Sequence, residues 1–98
     1  MYVIVQHQLT DPPVAFARGE QLMKGVGAPA DVRVLQFFPS REGTAVTCLW
    51  ESPSVAAVQT YVDTTLGDAS DNRCYEVDAE QSFARATSAI SAEPPIRA

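Results

Sequence analysis

The chain has 98 residues, 46% of them hydrophobic, and a formal net charge of −5. That length supports one domain but not two, and a domain this small buries a modest share of its surface, so self-association is a natural supplement to its stability. The acid excess, with Lys and Arg scattered singly from Arg18 to Arg97, gives no basic footprint for nucleic acid or for an anionic membrane.

Tyr2 to Leu9 (YVIVQHQL) is rich in β-formers and free of Gly and Pro, which predicts a strand. Thr10-Asp11-Pro12 then gives a helix start, a capping side chain ahead of a proline with no N–H to lose. Phe16, Gly19, Leu22 or Met23, and Val26 recur at helical spacing until Gly25 to Gly27 ends the helix. Asp31 to Phe38 and Thr44 to Glu51 read as strands joined by the hairpin loop Pro39 to Gly43. Ser52-Pro53 repeats the helix start, Val55, Val58, Val62 and Leu66 form the stripe, and Gly67 is the expected C-cap. A fourth strand is expected from Asn72 to Val77. Asp78 and Gln81 have the spacing of a capping box, which predicts a short closing helix through Phe83 and Ala86. One domain over residues 1–90 and a flexible tail over 91–98 follow.

The order strand, cap, Pro, helix, Gly, strand thus occurs twice. Pro12 and Pro53 lie 41 residues apart, and Gly27 and Gly67 lie 40 apart. A βαββαβ chain of this kind points to an α+β, ferredoxin-like arrangement. Right-handed crossovers then place both helices on one face of a four-stranded antiparallel sheet of order 4-1-3-2.

A sheet wetted on one face should alternate cleanly between apolar and polar residues. Here both faces carry apolar groups. In the first strand Val3, Val5 and Leu9 oppose Tyr2 and Ile4. In the second Val32, Val34 and Phe38 oppose Leu35 and Phe37, and in the third Val46, Cys48 and Trp50 oppose Ala45 and Leu49. A patch of that size predicts a sheet-to-sheet homodimer, unless the segment after Val77 covers it. The runs YVIVQHQ, LQFFPS, CLWESPS and RCYEVD resemble small bacterial members of the dimeric α+β barrel superfamily, over about Tyr2 to Phe83. The resemblance rests on element order and strand flavour. It implies a dimer and a cleft between sheet and helices, and it implies no single reaction.

Several positions could carry chemistry. His7 is the only histidine and the first candidate acid, base or ligand, against the plainer reading of a half-buried, hydrogen-bonded group. Mapping the half-repeat puts His7 near Thr44 and Cys48 near Val3, and lets His7 and Cys74 approach. One His and one Cys are half a zinc site, so no metal and no cofactor is expected. Both cysteines read as small strand residues rather than nucleophiles. Asp68, Ser70 and Asn72 mimic the start of a calcium loop, but Arg73 and Ala79 stand where Gly and Glu are needed. Trp50, Tyr61, Tyr75, Phe37 and Phe38 suit a pocket or a core equally. A catalytic trio of His7, Asn72 and Tyr75 at one cleft mouth could move a proton, although the odd step from Asn72 to Tyr75 lets at most one of them share a face with His7.

No apolar run reaches the about 20 residues that cross a bilayer, and no signal peptide is evident. With two cysteines and no disulfide framework, a cytoplasmic protein is expected. The first functional reading is a homodimer that binds a small organic ligand in the sheet–helix cleft. The second is a cofactor-independent enzyme of monooxygenase or isomerase kind using His7, and the third a metal-binding protein. Whether the chain is an enzyme is left open.

Overall fold

A computed structural model describes residues 1–94. The chain runs β1 (Tyr2–Leu9), α1 (Pro12–Lys24), β2 (Arg33–Pro39), β3 (Ala45–Glu51), α2 (Val55–Leu66), a 3-10 turn (Gly67–Ala69) and β4 (Ser70–Glu76). The strands form one antiparallel sheet in the order β2-β3-β1-β4, as the sequence predicts.

Local chemistry explains the helix ends. Asp11 caps α1 with Pro12 in the first turn, and Gly25, at φ 70°, closes it with its N–H on the carbonyls of Gln21 and Leu22. The α2 cap is Ser54, whose hydroxyl accepts from the Ala57 N–H at 3.1 Å, and not Ser52. Ser52 instead shapes the preceding turn: its hydroxyl donates to the Ser54 carbonyl at 2.8 Å and accepts from the Ser54 N–H at 3.2 Å. Pro53 therefore lies outside the helix. At the far end Gly67 has φ 56°, and the Arg18 guanidinium donates to the Leu66 carbonyl at 2.9 Å and pairs with Asp68 at 3.2 Å. A cation on the last carbonyls of α2 complements its dipole.

The core lies between the sheet and the helices. Val3, Val5, Val46, Cys48 and Trp50 pack under Ala15, Leu22, Val58, Val62 and Leu66. Tyr61 meets Trp50 edge to face at 5.9 Å between ring centres and donates its hydroxyl to the Val26 carbonyl at 2.6 Å.

Three expectations need correction. The alternation in β2 breaks at Leu35: Val34 pairs with Trp50 and Gln36 with Leu49, so Leu35 is an extra, bulged residue. One inserted residue reverses the parity of everything after it. Phe37 therefore joins Val34 on the helix side, and Phe38 turns to the open face. Second, no closing helix follows β4. The Asp78 carboxylate accepts from the Glu80 N–H at 3.1 Å, its carbonyl accepts from the Gln81 N–H at 3.2 Å, and the capping group makes a turn instead. Residues 78–94 are exposed, and Tyr2, Leu35, Phe38 and Tyr75 stay exposed on the open face, so this described segment does not cover it; residues 95–98 of the expected tail lie outside the described residues. Third, the sheet is open, with β2 and β4 as free edges, and it does not close into the barrel that the sequence resemblance implied.

Candidate functional site

His7 lies on β1 between Val5 and Leu9 and points beneath the helices, 5% exposed. Its strand neighbours are Val46 on β3 and Asn72 on β4, whereas the repeat-based mapping had placed it beside Thr44. Cys48 correspondingly sits opposite Val5 rather than Val3.

The polar groups around His7 form one chain of hydrogen bonds. Its Nδ1 is 2.6 Å from Asn72 Oδ1, which also accepts from the Ser70 hydroxyl at 2.7 Å. Asn72 Nδ2 donates to Asp63 Oδ1 at 2.9 Å, and Gln59 Nε2 bridges Asp63 and the Asn72 carbonyl at about 3.0 Å. An amide whose nitrogen is committed to a carboxylate offers His7 only its oxygen. The imidazole therefore carries its proton on Nδ1 and keeps a lone pair on Nε2. Burial lowers the His7 pKa, opposed in part by the Asn72 hydrogen bond and by the charge on Asp63. The result is a neutral histidine fixed in one tautomer.

The trio does not assemble as a unit. Asn72 touches His7, but Tyr75 lies opposite Ile4 on the other face of the sheet, 47% exposed. Ser70, Gln59 and Asp63 complete the network and were missed from sequence. The Gln59–Asp63 spacing of one helical turn was visible there, but not that this side of α2 covers β4. Cys48 and Cys74 flank Val5 from opposite sides, two strand spacings apart and too far to bridge. Burial pushes the Cys48 thiol up to about 12 and, with help from Asp63, the Cys74 thiol up to about 11, so neither is a ready nucleophile. Among the described residues no three or more of His, Cys, Asp and Glu converge on a metal position. Asp68, Ser70 and Asn72 are spread over the 3-10 turn and β4 rather than around a loop.

Among the described residues two surface depressions stand out. One, of about 280 Å³, is bordered by Asp31, Arg33, Glu51 and Ser52, with Arg33 and Glu51 paired at 2.8 Å. The larger, of about 450 Å³, runs over β3, β1 and β4 between Gln6, Gln8, Thr47, Asp71 and Arg73. All five of these side chains share the open face, because strand residues alternate and His7, Val46 and Asn72 between them point to the helices. The trough and the His7 network are thus separated by the thickness of the sheet.

The fold has counterparts among solved structures. SCO4226 from Streptomyces coelicolor A3(2) superposes with a TM-score of 0.58 at 22% identity, covering 80% of this chain and 96% of that one. Rv0793 from Mycobacterium tuberculosis gives 0.53 at 11% identity, covering 83% and 98%. No family model and no curated protein sequence matches the chain. Identities this low show a shared fold and nothing finer. With an open sheet and no family match, membership in the dimeric α+β barrel superfamily is not upheld. Among the described residues no helix is long and apolar enough to cross a membrane.

Proposed function

We propose that the chain is a homodimeric binding module: two copies meet through the open sheet face, and the polar trough at one end of that face holds a small organic acid bearing a hydroxyl or amine. The observation that carries this reading is the open face itself. Tyr2, Leu35, Phe38 and Tyr75 are 39%, 38%, 40% and 47% exposed there, beside partly covered Ile4 and Leu49. A contiguous apolar surface of this kind on a small domain marks an interaction site. The two-fold dimer is the commonest assembly for such a surface.

The ligand class follows from the trough. Among the described residues Arg73 and Asp71 form no ion pair. An unpaired guanidinium suits a carboxylate, and a carboxylate two residues away accepts from a hydroxyl or ammonium on the same molecule. Gln6, Gln8 and Thr47 supply neutral donors and acceptors. His7 is not assigned a catalytic role, since its side chain faces away from the trough.

Two measurements test the reading. Sedimentation of the wild-type chain should give a dimer at micromolar concentration, and Leu49→Asp should give a folded monomer; a wild-type monomer would overturn the proposal. Thermal midpoints should rise with one or more amino or hydroxy acids from a panel, since a ligand at 100 times its Kd adds about 2.7 kcal/mol. Arg73→Gln should abolish the shift.

A further inference from the structure

The open face is organised in rows across the strands. Gln36 and the bulged Leu35, Leu49, Ile4 and Tyr75 form a largely apolar row. The next row toward the trough is Phe38, Thr47, Gln6 and Arg73, followed by Ala45, Gln8 and Asp71. On its other side lies the row Arg33, Glu51 and Tyr2, so the apolar row is the second of four and off centre.

We infer that the two copies stack open face on open face about a two-fold axis running along the strands, so that the two troughs close into one chamber and Arg73 of each copy lies over the partner's Phe38. This rests on the homodimer proposed above. Face-to-face stacking allows a two-fold axis along the strands, across them or oblique to them, and an oblique axis turns the two sheets so that their apolar rows cross at a single point instead of matching. An axis across the strands reverses the rows: it sets apolar side chains against the polar trough, or the sheets must slide until rows hang free. An axis along the strands maps each row onto itself and exchanges β4 with β2 and β1 with β3. All four strands overlap, and apolar meets apolar. In the aligned class of sheet packing the strands stay within about 30° of each other, which leaves this row matching in place.

The chemistry of the matched rows agrees. Arg73, without an ion pair among the described residues, comes over Phe38, an aromatic ring left 40% exposed in one copy. A guanidinium over a ring face is a favourable contact, and the two-fold makes it twice. Gln6 comes over the partner's Thr47, an amide against a hydroxyl. Asp71 and Gln8 stay at the chamber end. Each copy contributes a trough of about 450 Å³, open on one side until the other copy covers it. The ligand site is incomplete in a single chain. Both sheets remain open at their β2 and β4 edges.

Cross-linking decides the geometry. Phe38 and Arg73 stand at opposite edges of the sheet, about 14 Å apart across three strand spacings, while packed sheets lie about 10 Å apart. In a background with Cys48→Ala and Cys74→Ser, Phe38→Cys and Arg73→Cys chains are prepared separately and treated with a bis-maleimide of matching span. A covalent dimer should form when the two variants are mixed and exchanged, and neither variant should cross-link alone. Efficient cross-linking of Arg73→Cys with itself would mean an axis across the strands and overturn the inference. So would the absence of any product in a sample that sediments as a dimer, whereas a wild-type monomer would instead sink the homodimer itself. As a second readout, Phe38→Ala and Arg73→Gln should each weaken the wild-type dimer by about fivefold to thirtyfold over the two contacts. The double variant should be no weaker than the worse single one; fully additive losses would count against the contact.

Discussion

Asn72 is the residue on which the buried polar chemistry turns. Its oxygen receives His7 and Ser70, and its nitrogen reaches Asp63, so one side chain satisfies three others. Asn72→Ala leaves all three without that partner and should cost about 2–3 kcal/mol in denaturant unfolding. Asn72→Asp keeps an acceptor for the His7 proton but adds a negative charge, so it should raise the histidine pKa. As the only imidazole in the chain, His7 can be followed directly by NMR titration. The wild-type midpoint should fall below the ordinary 6.5, because burial outweighs the Asn72 and Asp63 contributions. The sign for stability is fixed by linkage. With the folded pKa below 6.5, the unfolded chain binds the extra proton first as pH falls. This contribution to stability is complete above about 6.5, is lost as pH drops toward the folded pKa, and is flat below it. A histidine stabilised by its charge would show the reverse slope.

At the scale of elements, the helix ends and the β2 bulge carry most of the specification. Gly67→Ala would place a Cβ 3.1 Å from the Arg18 guanidinium, at a backbone φ of 56° that side-chain-bearing residues resist. A loss of about 1–2 kcal/mol is expected. Combining it with Arg18→Ala should cost less than the sum of the two, since removing the guanidinium relieves the crowding as well as the cap; an additive cycle in urea would contradict this. Deleting Leu35 is the sharper test. The deletion leaves Val34 opposite Trp50 and Gln36 opposite Leu49 as consecutive pairs, so Phe37 and Phe38 keep their faces and the deletion should cost little more than Leu35→Ala in urea unfolding; a much larger loss would mean that the bulge itself is needed. These cases also show where sequence reasoning works. Pro12, Gly25 and Gly67 announce helix ends through backbone chemistry local to each residue, and strand order follows from two such units and crossover handedness. The bulge at Leu35 depends on pairing with Trp50 and Leu49 across the sheet, and nothing within the run Arg33 to Pro39 announces it. The same limit hid Gln59 and Asp63 from the His7 site, because tertiary packing alone brings that side of α2 over β4. The Asp78–Gln81 pair misled in the opposite direction: the capping residue was real, but no apolar stripe packed against the sheet to sustain a helix after it.

For the whole molecule, net charge and the open face pull against each other, and salt separates them. Each chain carries a formal −5, so a pair of chains is opposed by repulsion spread over both surfaces. The row-on-row contact proposed here sets no carboxylate opposite a cation: Arg73 lies over an aromatic ring and Glu51 over the partner's Tyr2. Screening should therefore remove more repulsion than attraction. Raising the salt from about 10 mM to about 150 mM shortens the Debye length from about 30 Å to about 8 Å, below the diameter of the domain. The proposed dimer should tighten over that range and then change little, as measured by sedimentation at several protein concentrations. An interface held by ion pairs between copies would loosen instead. Arg33 and Glu51 provide the internal check: their ion pair of 2.8 Å is already satisfied within one chain, so Arg33→Gln should leave the sign of the salt dependence unchanged. Arg73→Gln removes one positive charge from each copy as well as the ring contact. It should weaken the dimer most at low salt, where the added net repulsion is least screened, and a loss independent of salt would assign the whole effect to the ring contact.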